Sequence, residues 1–287
     1  MTRVPLRRRA LGGANPRSVI PRADRIVELK AHRAAWSGTH GENSLAAVRE
    51  CYAAGVARLE IDVLFRRGDF MVTHDEPKRG ARLPTLGRAL EIVAAAPRTP
   101  TLLMLDAKGD APWSNGAVTR LVRLARPLRD RVFVGSPADW NLRRLHAADP
   151  ALRLAFDPQY YLTWRSRPER LPGRVGAYGY HDAHPLALRR TGPVAAYLRE
   201  RFEILLALVP SASEIHLGIG FLARMLRDGF DVVGFLHDAG VAVDVWTVDA
   251  GSPRWRERVG HALAAGVDII TTNTPQALAD AFAQRGV

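Results

Sequence analysis

The sequence predicts a single-domain α/β protein, a closed (β/α)8 TIM barrel, and three observations lead there. Short β-like runs alternate with helical periodicity from about residue 26 onward, which argues a parallel sheet covered by helices. About eight such units fit within 287 residues, the size of one such barrel. Three successive runs end in charged or imidazole side chains, at the strand ends where barrels of this kind carry chemistry.

Taken in order, residues 1–25 read as a basic tail and 26–287 as the barrel domain. RIVELKAHR is followed by the helix SLAAVRECYAAG, and ARLEIDVLF with its return DFMVTHD by TLGRALEIVAAA. TLLMLDAKG leads to GAVTRLVRLARPL, RVFVGSP to DWNLRRLHAA, and ALRLAFDP to a long irregular insertion spanning 157–213. SEIHLGIG, the helix GFDVVGFLHDAG, VAVDVWTVD, the helix RWRERVGHALAAG, VDIITTN and the helix PQALADAFAQRG complete the pattern. Ser44 and Thr85 have the chemistry of N-caps, and Gly55, Gly240 and Gly266 that of C-terminal stops. The join from His74 and Asp75 to the helix at Thr85 is short, so the cap after the second strand is reduced. GPVAAYLRERFEILLALVP is amphipathic and reads as a barrel helix facing the sheet.

Composition narrows the function classes. With 47% hydrophobic residues the chain can bury a full core. The formal charge of +12 comes largely from arginines scattered over every helix, with no dense basic tract, so nucleic acid is not the expected partner and an anionic small substrate is. Cys51 is the single cysteine and reads as a buried thiol, which rules out a disulfide within the chain. No apolar run approaches a membrane span or a signal core, and a cytoplasmic location is the expectation.

The strand ends carry the informative residues. Alternation turns Leu59, Ile61 and Val63 toward the helices and Glu60 and Asp62 inward together, late in their strand. Two close carboxylates repel unless a cation or basic groups neutralise them, a divalent metal being the simplest neutraliser, and Asp106, ending the next run, can add a third oxygen ligand. An all-oxygen set suits Mg2+ or Ca2+ over Zn2+. His32 and His74 offer two imidazoles for proton transfer at a phosphoester, and Arg33 and Lys108 offer positive charge for phosphate oxygens.

The run AHRAAWSGTHGENSLAAVRECYAAGVARLEIDVLFRRGDFMVTHDE resembles the glycerophosphodiester phosphodiesterases, whose blocks are His-Arg-Gly, Glu-Asn-Thr/Ser, Glu-x-Asp and His-Asp, in that order. LLMLDAKG, VDVWTVD and AGVDIITTNTP are similar to later blocks, so the resemblance spans residues 29–278 and weakens over 157–213. It implies a metal-dependent barrel hydrolase that yields sn-glycerol 3-phosphate and an alcohol. His32 and His74 would then be the acid/base pair, and Glu60, Asp62 and Asp106 would hold one divalent cation, Mg2+ or Ca2+. Arg33 and Lys108 would contact phosphate, Trp246 would lie by the glycerol, and Glu42 and Asn43 would support the site. Three departures stand out: Ala34 for the family's Gly, Gly41 for its Pro, and Asp106 for its usual Glu. The Asp-x-Lys block also looks like the related sphingomyelinase D and phospholipase D enzymes, which expel a headgroup and form a cyclic phosphate. A non-catalytic barrel that binds phosphorylated ligands is the alternative of another class.

Two further readings concern the surroundings. Tyr160, Tyr161, Trp164, Tyr178 and Tyr180 could form an apolar lip for a lipid substrate or a peripheral membrane contact, or pack a long loop. Glu28 and Lys30 share the inward face of His32, so they should enter a barrel floor that is normally apolar, pairing with each other or with Asp244.

Overall fold

A computed structural model describes residues 13–97, 100–165 and 174–283. Eight parallel strands close on themselves in the order Ile26–Ala31, Arg58–Arg66, Leu102–Lys108, Val132–Ser136, Leu154–Phe156, Ala212–Gly218, Ala242–Trp246 and Ile269–Thr272. The last pairs with the first, Ile270 lying opposite Leu29, so the ladder has no free edge. This is the barrel that the alternating pattern predicts. Outward residues such as Leu59, Ile61, Val63, Leu103 and Leu105 are fully buried against the helices.

Helix starts follow their sequence signals. Ser44 and Thr85 each accept a bond from the backbone N–H three residues on, capping Leu45–Ala54 and Leu86–Ala95. Gly55 and Gly266 end their helices with positive φ, a conformation that costs glycine least. One helix, Ile219–Arg227, is missing from the sequence reading, which passes from the sixth strand straight to the helix observed at Val232–Asp238. Its apolar residues Ile219, Phe221, Leu222 and Met225 span barely two turns, too few for periodicity to stand out.

Of the expected tail, residues 1–12 lie outside the described part. Within the rest, Val19–Pro21 pairs antiparallel with the first barrel strand, and the buried Ser18 Oγ accepts from Ala57 N at 2.9 Å. The second strand returns through the antiparallel segment Asp69–Val72, and between Asp75 and Thr85 there is neither helix nor strand. The insertion after the fifth strand contains a small sheet, Leu162–Thr163 with His181–Asp182 with Arg174–Val175. It gives way at Val194 to a regular helix, Val194–Leu208, that buries Leu198, Phe202 and Leu205 on the barrel, as its amphipathic pattern requires.

The barrel interior is divided. On one side Leu102, Met104, Phe133 and Ala155 form an apolar layer. Gly135 is part of it, since a Cβ there would lie 2.3 Å from Met104 Cε. On the other side sits a buried ion network. Lys30 pairs with Asp244, and Glu28 pairs with Arg58 rather than with Lys30, while Arg58 also reaches Glu214 at 2.7 Å.

Candidate active site

The carboxylates come together as the strand register dictates. Asp62 and Asp106 are direct partners on neighbouring parallel strands, and Glu60 lies two residues below Asp62 on the same face. One oxygen from each of Glu60, Asp62 and Asp106 lies within 4.8 Å of the others. Asp62 is locked in place: Asn43 Nδ2 donates to its Oδ2 at 2.7 Å, its own N–H donates to Asn43 Oδ1 at 2.9 Å, and Lys108 Nζ stands 2.9 Å from Oδ1. Lys108 also pairs with Asp106. Glu60 accepts from Arg33 N at 2.7 Å through one oxygen, whereas its buried Oε1 has no hydrogen-bond partner among the described residues.

This geometry splits the acids electrostatically. Burial, reinforced by the negative charge of Asp62 and Asp106, pushes Glu60 well above the usual carboxylate range. Burial also acts on Asp62, but Lys108 and the bond from Asn43 outweigh it and hold Asp62 below its ordinary value. Lys108 is held charged, because the attraction of Asp106 and Asp62 overcomes its own burial. Without a cation the trio therefore favours the neutral form of Glu60. A divalent cation would favour its charged form, and the unspent Glu60 Oε1 with two carboxylates beside it fits a hard ion.

The two histidines approach from different loops. His32 opens a turn in which Arg33 and Ala34 both have positive φ, 52° and 58°. Ala34 stands where the resembling family has glycine, and its left-handed backbone is the physical reason glycine suits that place. The turn directs Arg33 N at Glu60 and the Arg33 side chain between Glu42, at 3.0 Å, and Asp62, at 3.1 Å. His32 Nδ1 lies 2.7 Å from Asn273 Oδ1. Asn273 Nδ2 donates to Asp249 at 2.9 Å, so its oxygen must face the ring, and His32 donates from Nδ1 and keeps its lone pair on Nε2. Nε2 is 3.9 Å from Glu60. Burial lowers the affinity of His32 for a proton, against the opposing bond to Asn273. His74, at the end of the returning segment, is 42% exposed and donates Nδ1–H to Asp75 at 2.7 Å.

All of these side chains except the deeply held Asp62 line, or stand beside, one cavity of about 490 Å3 at the C-terminal mouth. Lys30, Met104, His216, Asp244 and Thr271 form its floor, and Trp246, Tyr160 and Arg165 its upper wall. Each residue given a catalytic, metal-binding, phosphate-binding or glycerol-side role from the sequence thus lies in this region, Glu42 and Asn43 reaching it through Arg33 and Asp62. Three contributors escape the sequence reading. Asn273 and Asp249 set the His32 tautomer, and their one signal is a polar residue ending the eighth run and an acid after the seventh. Asp157, just after the fifth strand, has its carboxyl pushed up to about 7 by burial in the cavity wall.

The aromatic lip does not form. Tyr180 is fully buried with its hydroxyl on Asp228, Tyr161 donates to Asp139, and Tyr178 packs on Tyr197. Only Tyr160, stacked near Trp140, faces the cavity from the insertion's tyrosines. His181 is likewise buried beside Asp182, which Arg201 and Tyr197 hold in place, a structural clasp for the insertion.

No protein-family model matches the chain, and no curated protein matches it in sequence. Solved structures do. A glycerophosphodiester phosphodiesterase from Parabacteroides distasonis superposes with a TM-score of 0.63 at 17% identity, over 90% of this chain and 98% of that one. The chain has the fold of these enzymes. An Oleispira antarctica phosphodiesterase in complex with the product sn-glycerol-3-phosphate gives 0.58 at 16% identity, over 92% and 97%. A glycerophosphodiester phosphodiesterase from Agrobacterium tumefaciens gives 0.55 at 17%, over 88% and 99%.

Proposed function

We propose that the protein is a metal-dependent phosphodiesterase that hydrolyses glycerophosphodiesters to sn-glycerol 3-phosphate and an alcohol. The observation that carries this reading is the convergence of Glu60, Asp62 and Asp106 with His32, His74, Arg33 and Lys108 about one mouth, with Glu60 Oε1 left without a hydrogen-bond partner among the described residues. Likeness to enzymes of that activity, one holding sn-glycerol-3-phosphate, supports it.

Glu60, Asp62 and Asp106 would hold one divalent cation, Mg2+ or Ca2+, which when bound supplies Lewis acidity toward the phosphoryl oxygens. Arg33 and Lys108 bind the phosphate and orient it. His32, neutral with its lone pair on Nε2, takes a proton from the attacking water as the new P–O bond forms. His74 gives a proton to the departing alkoxide oxygen as the old P–O bond breaks. Trp246 forms the wall on which the glycerol rests. The short join after His74 leaves the mouth open on that side, which admits bulkier diesters such as lysophospholipids.

The test is release of glycerol 3-phosphate from glycerophosphocholine by purified protein, with Mg2+, with Ca2+ and with excess chelator. Activity lost in chelator and restored by one of the ions is the expected result. Full activity in chelator would sink the metal assignment, and no turnover of any glycerophosphodiester or lysophospholipid would leave the non-catalytic reading standing. Phosphorus NMR of the completed reaction separates the routes: a phosphomonoester is expected, and a stable cyclic phosphate as sole product would place the chemistry with headgroup-expelling enzymes.

A further inference from the structure

Among the described residues the large apolar side chains that stand well out of the surface are Ile26, Val175, Leu186, Leu188 and Ile204. Three of the five fall in one short part of the insertion. Val175, 51% exposed, ends the edge strand of the small sheet, and Leu186 and Leu188, 52% and 54% exposed, flank Ala187. The two pieces are joined. Ala177 N donates to Ala187 O at 3.2 Å, and a Cβ on Gly176 would lie 3.5 Å from that of Ala187. With Ala187 buried as the pivot, its two neighbours are left outside close to Val175, so the three form one patch.

Among the described residues the exposed charge of the insertion ahead of Val194 has one sign, and Glu200 on the helix that follows is paired with Arg190. Arg165, Arg174 and Arg189 are exposed, while Asp182 is fully buried on Arg201 and Asp157 is buried in the cavity wall. Between residues 157 and 193 the described part of the insertion therefore shows water aliphatic groups and guanidiniums and no carboxylate. Its position is defined as well. The insertion leaves the C-terminal end of the fifth barrel strand, and Arg174–Val175 lies two strands across from Leu162–Thr163, roughly 10 Å. Tyr160 and Arg165, immediately before and after Leu162–Thr163, line the cavity.

We propose that this patch docks on the surface of an anionic lipid bilayer, with the barrel mouth set toward the headgroups. Aliphatic side chains on a loop-borne surface enter the headgroup boundary, and arginines beside them meet lipid phosphates while their stems stay apolar. The exposed charge on the described insertion itself is basic, and the nearby carboxylate of Glu200 is taken up by Arg190, which favours an anionic surface as occupant. The proposal is independent of the catalytic reading, since Val175, Leu186, Leu188, Arg174 and Arg189 do not line the cavity.

The experiment is sedimentation of the full chain with phosphatidylcholine vesicles with and without phosphatidylglycerol, at low and high salt. Binding to the anionic vesicles that weakens with salt is expected. Leu186→Ser with Leu188→Ser, at unchanged charge, should lower partitioning by about tenfold. Arg174→Ala should lower it by about fivefold on anionic vesicles alone. Ile26→Ser, equally apolar but at the opposite end of the barrel, should leave it unchanged, and hydrolysis of soluble glycerophosphocholine should persist in every variant. The proposal is overturned if the wild type ignores anionic vesicles, if the leucine variant binds as the wild type does, or if Ile26→Ser loses as much. It is also overturned if the leucine variant changes the oligomeric state without lipid while vesicle binding is unaffected, because the patch would then cover a second copy.

Discussion

Replacing Asp157 with asparagine should change stability in opposite directions at acid and at neutral pH. Burial in the cavity wall holds the Asp157 carboxyl up to about 7, in spite of the bond it accepts from Gln159 N, and the nearby charge of Asp106 adds to the effect. An unfolded chain ionises the same group near 3.9. Between those values the folded state keeps a proton that the unfolded state gives up. Stability is therefore fully present below about pH 4 and is lost as pH rises through the window, at about 1.4 kcal/mol per unit, roughly 4 kcal/mol in all. Asparagine has no proton to lose. It keeps the acceptor that meets Gln159 N at 3.0 Å but sets an amide NH2 against Gln159 Nε2, where the second oxygen accepted at 3.1 Å, at a cost of about 1 kcal/mol. The variant should be about 1 kcal/mol less stable at acid pH and roughly 3 kcal/mol more stable above neutrality. For a chain of this size that is a swing in Tm from about −2 °C to about +6 °C. Thermal melts by circular dichroism across that range, in chelator, measure it. A Tm difference that does not vary with pH would refute the reasoning.

His32→Ala and His74→Ala should each lower kcat by roughly 10²- to 10⁴-fold with unchanged circular dichroism; near-normal rates in both would remove the acid/base assignment. Because burial depresses His32 and the base must be neutral, the acid limb of kcat/KM should lie below about 6.5, and a limb well above it would contradict the base role. Asn273→Ala removes a bond that favours protonated His32, so kcat should fall and the acid limb should move to still lower pH; an unmoved limb would reduce Asn273 to packing. Arg58→Met should destabilise by roughly 3–5 kcal/mol in urea unfolding, because it leaves Glu28 and Glu214 buried without their cation, and a neutral result would mean that water reaches the floor.

The barrel and the acids at its mouth were legible in the sequence because they depend on short-range rules. A period of two turns Glu60 and Asp62 to one face, and a Ser or Thr ahead of an apolar stripe marks a helix start. What stayed hidden depends on distance in sequence. Asn273 meets His32 across 241 positions, through the closing pair of strands, and no local pattern signals that an amide should set an imidazole's tautomer. The lip failed for a related reason. Composition shows that aromatic residues cluster in the insertion, but which of them face water depends on partners elsewhere, such as Asp228 for Tyr180 and Asp139 for Tyr161.

Charge inside a barrel is costly, and this one contains it in two layers that differ in how fully it is matched. At the floor each acid meets a base: Glu28 and Glu214 share Arg58, and Asp244 holds Lys30 while accepting twice from Thr271 Oγ1 at 2.9 Å. Such a closed network has little left to offer a ligand, and its removal shows in stability. At the mouth three acids face Lys108 and Arg33, and burial with mutual repulsion pushes Glu60 toward its neutral form, with one oxygen without a hydrogen-bond partner among the described residues. The same residue types therefore carry different meanings a few ångströms apart. Each floor acid already has a basic partner, whereas at the mouth a cation would favour the charged form of Glu60, so proton release to solution on addition of Mg2+ or Ca2+, with the floor's ion pairs unchanged, is the expected result.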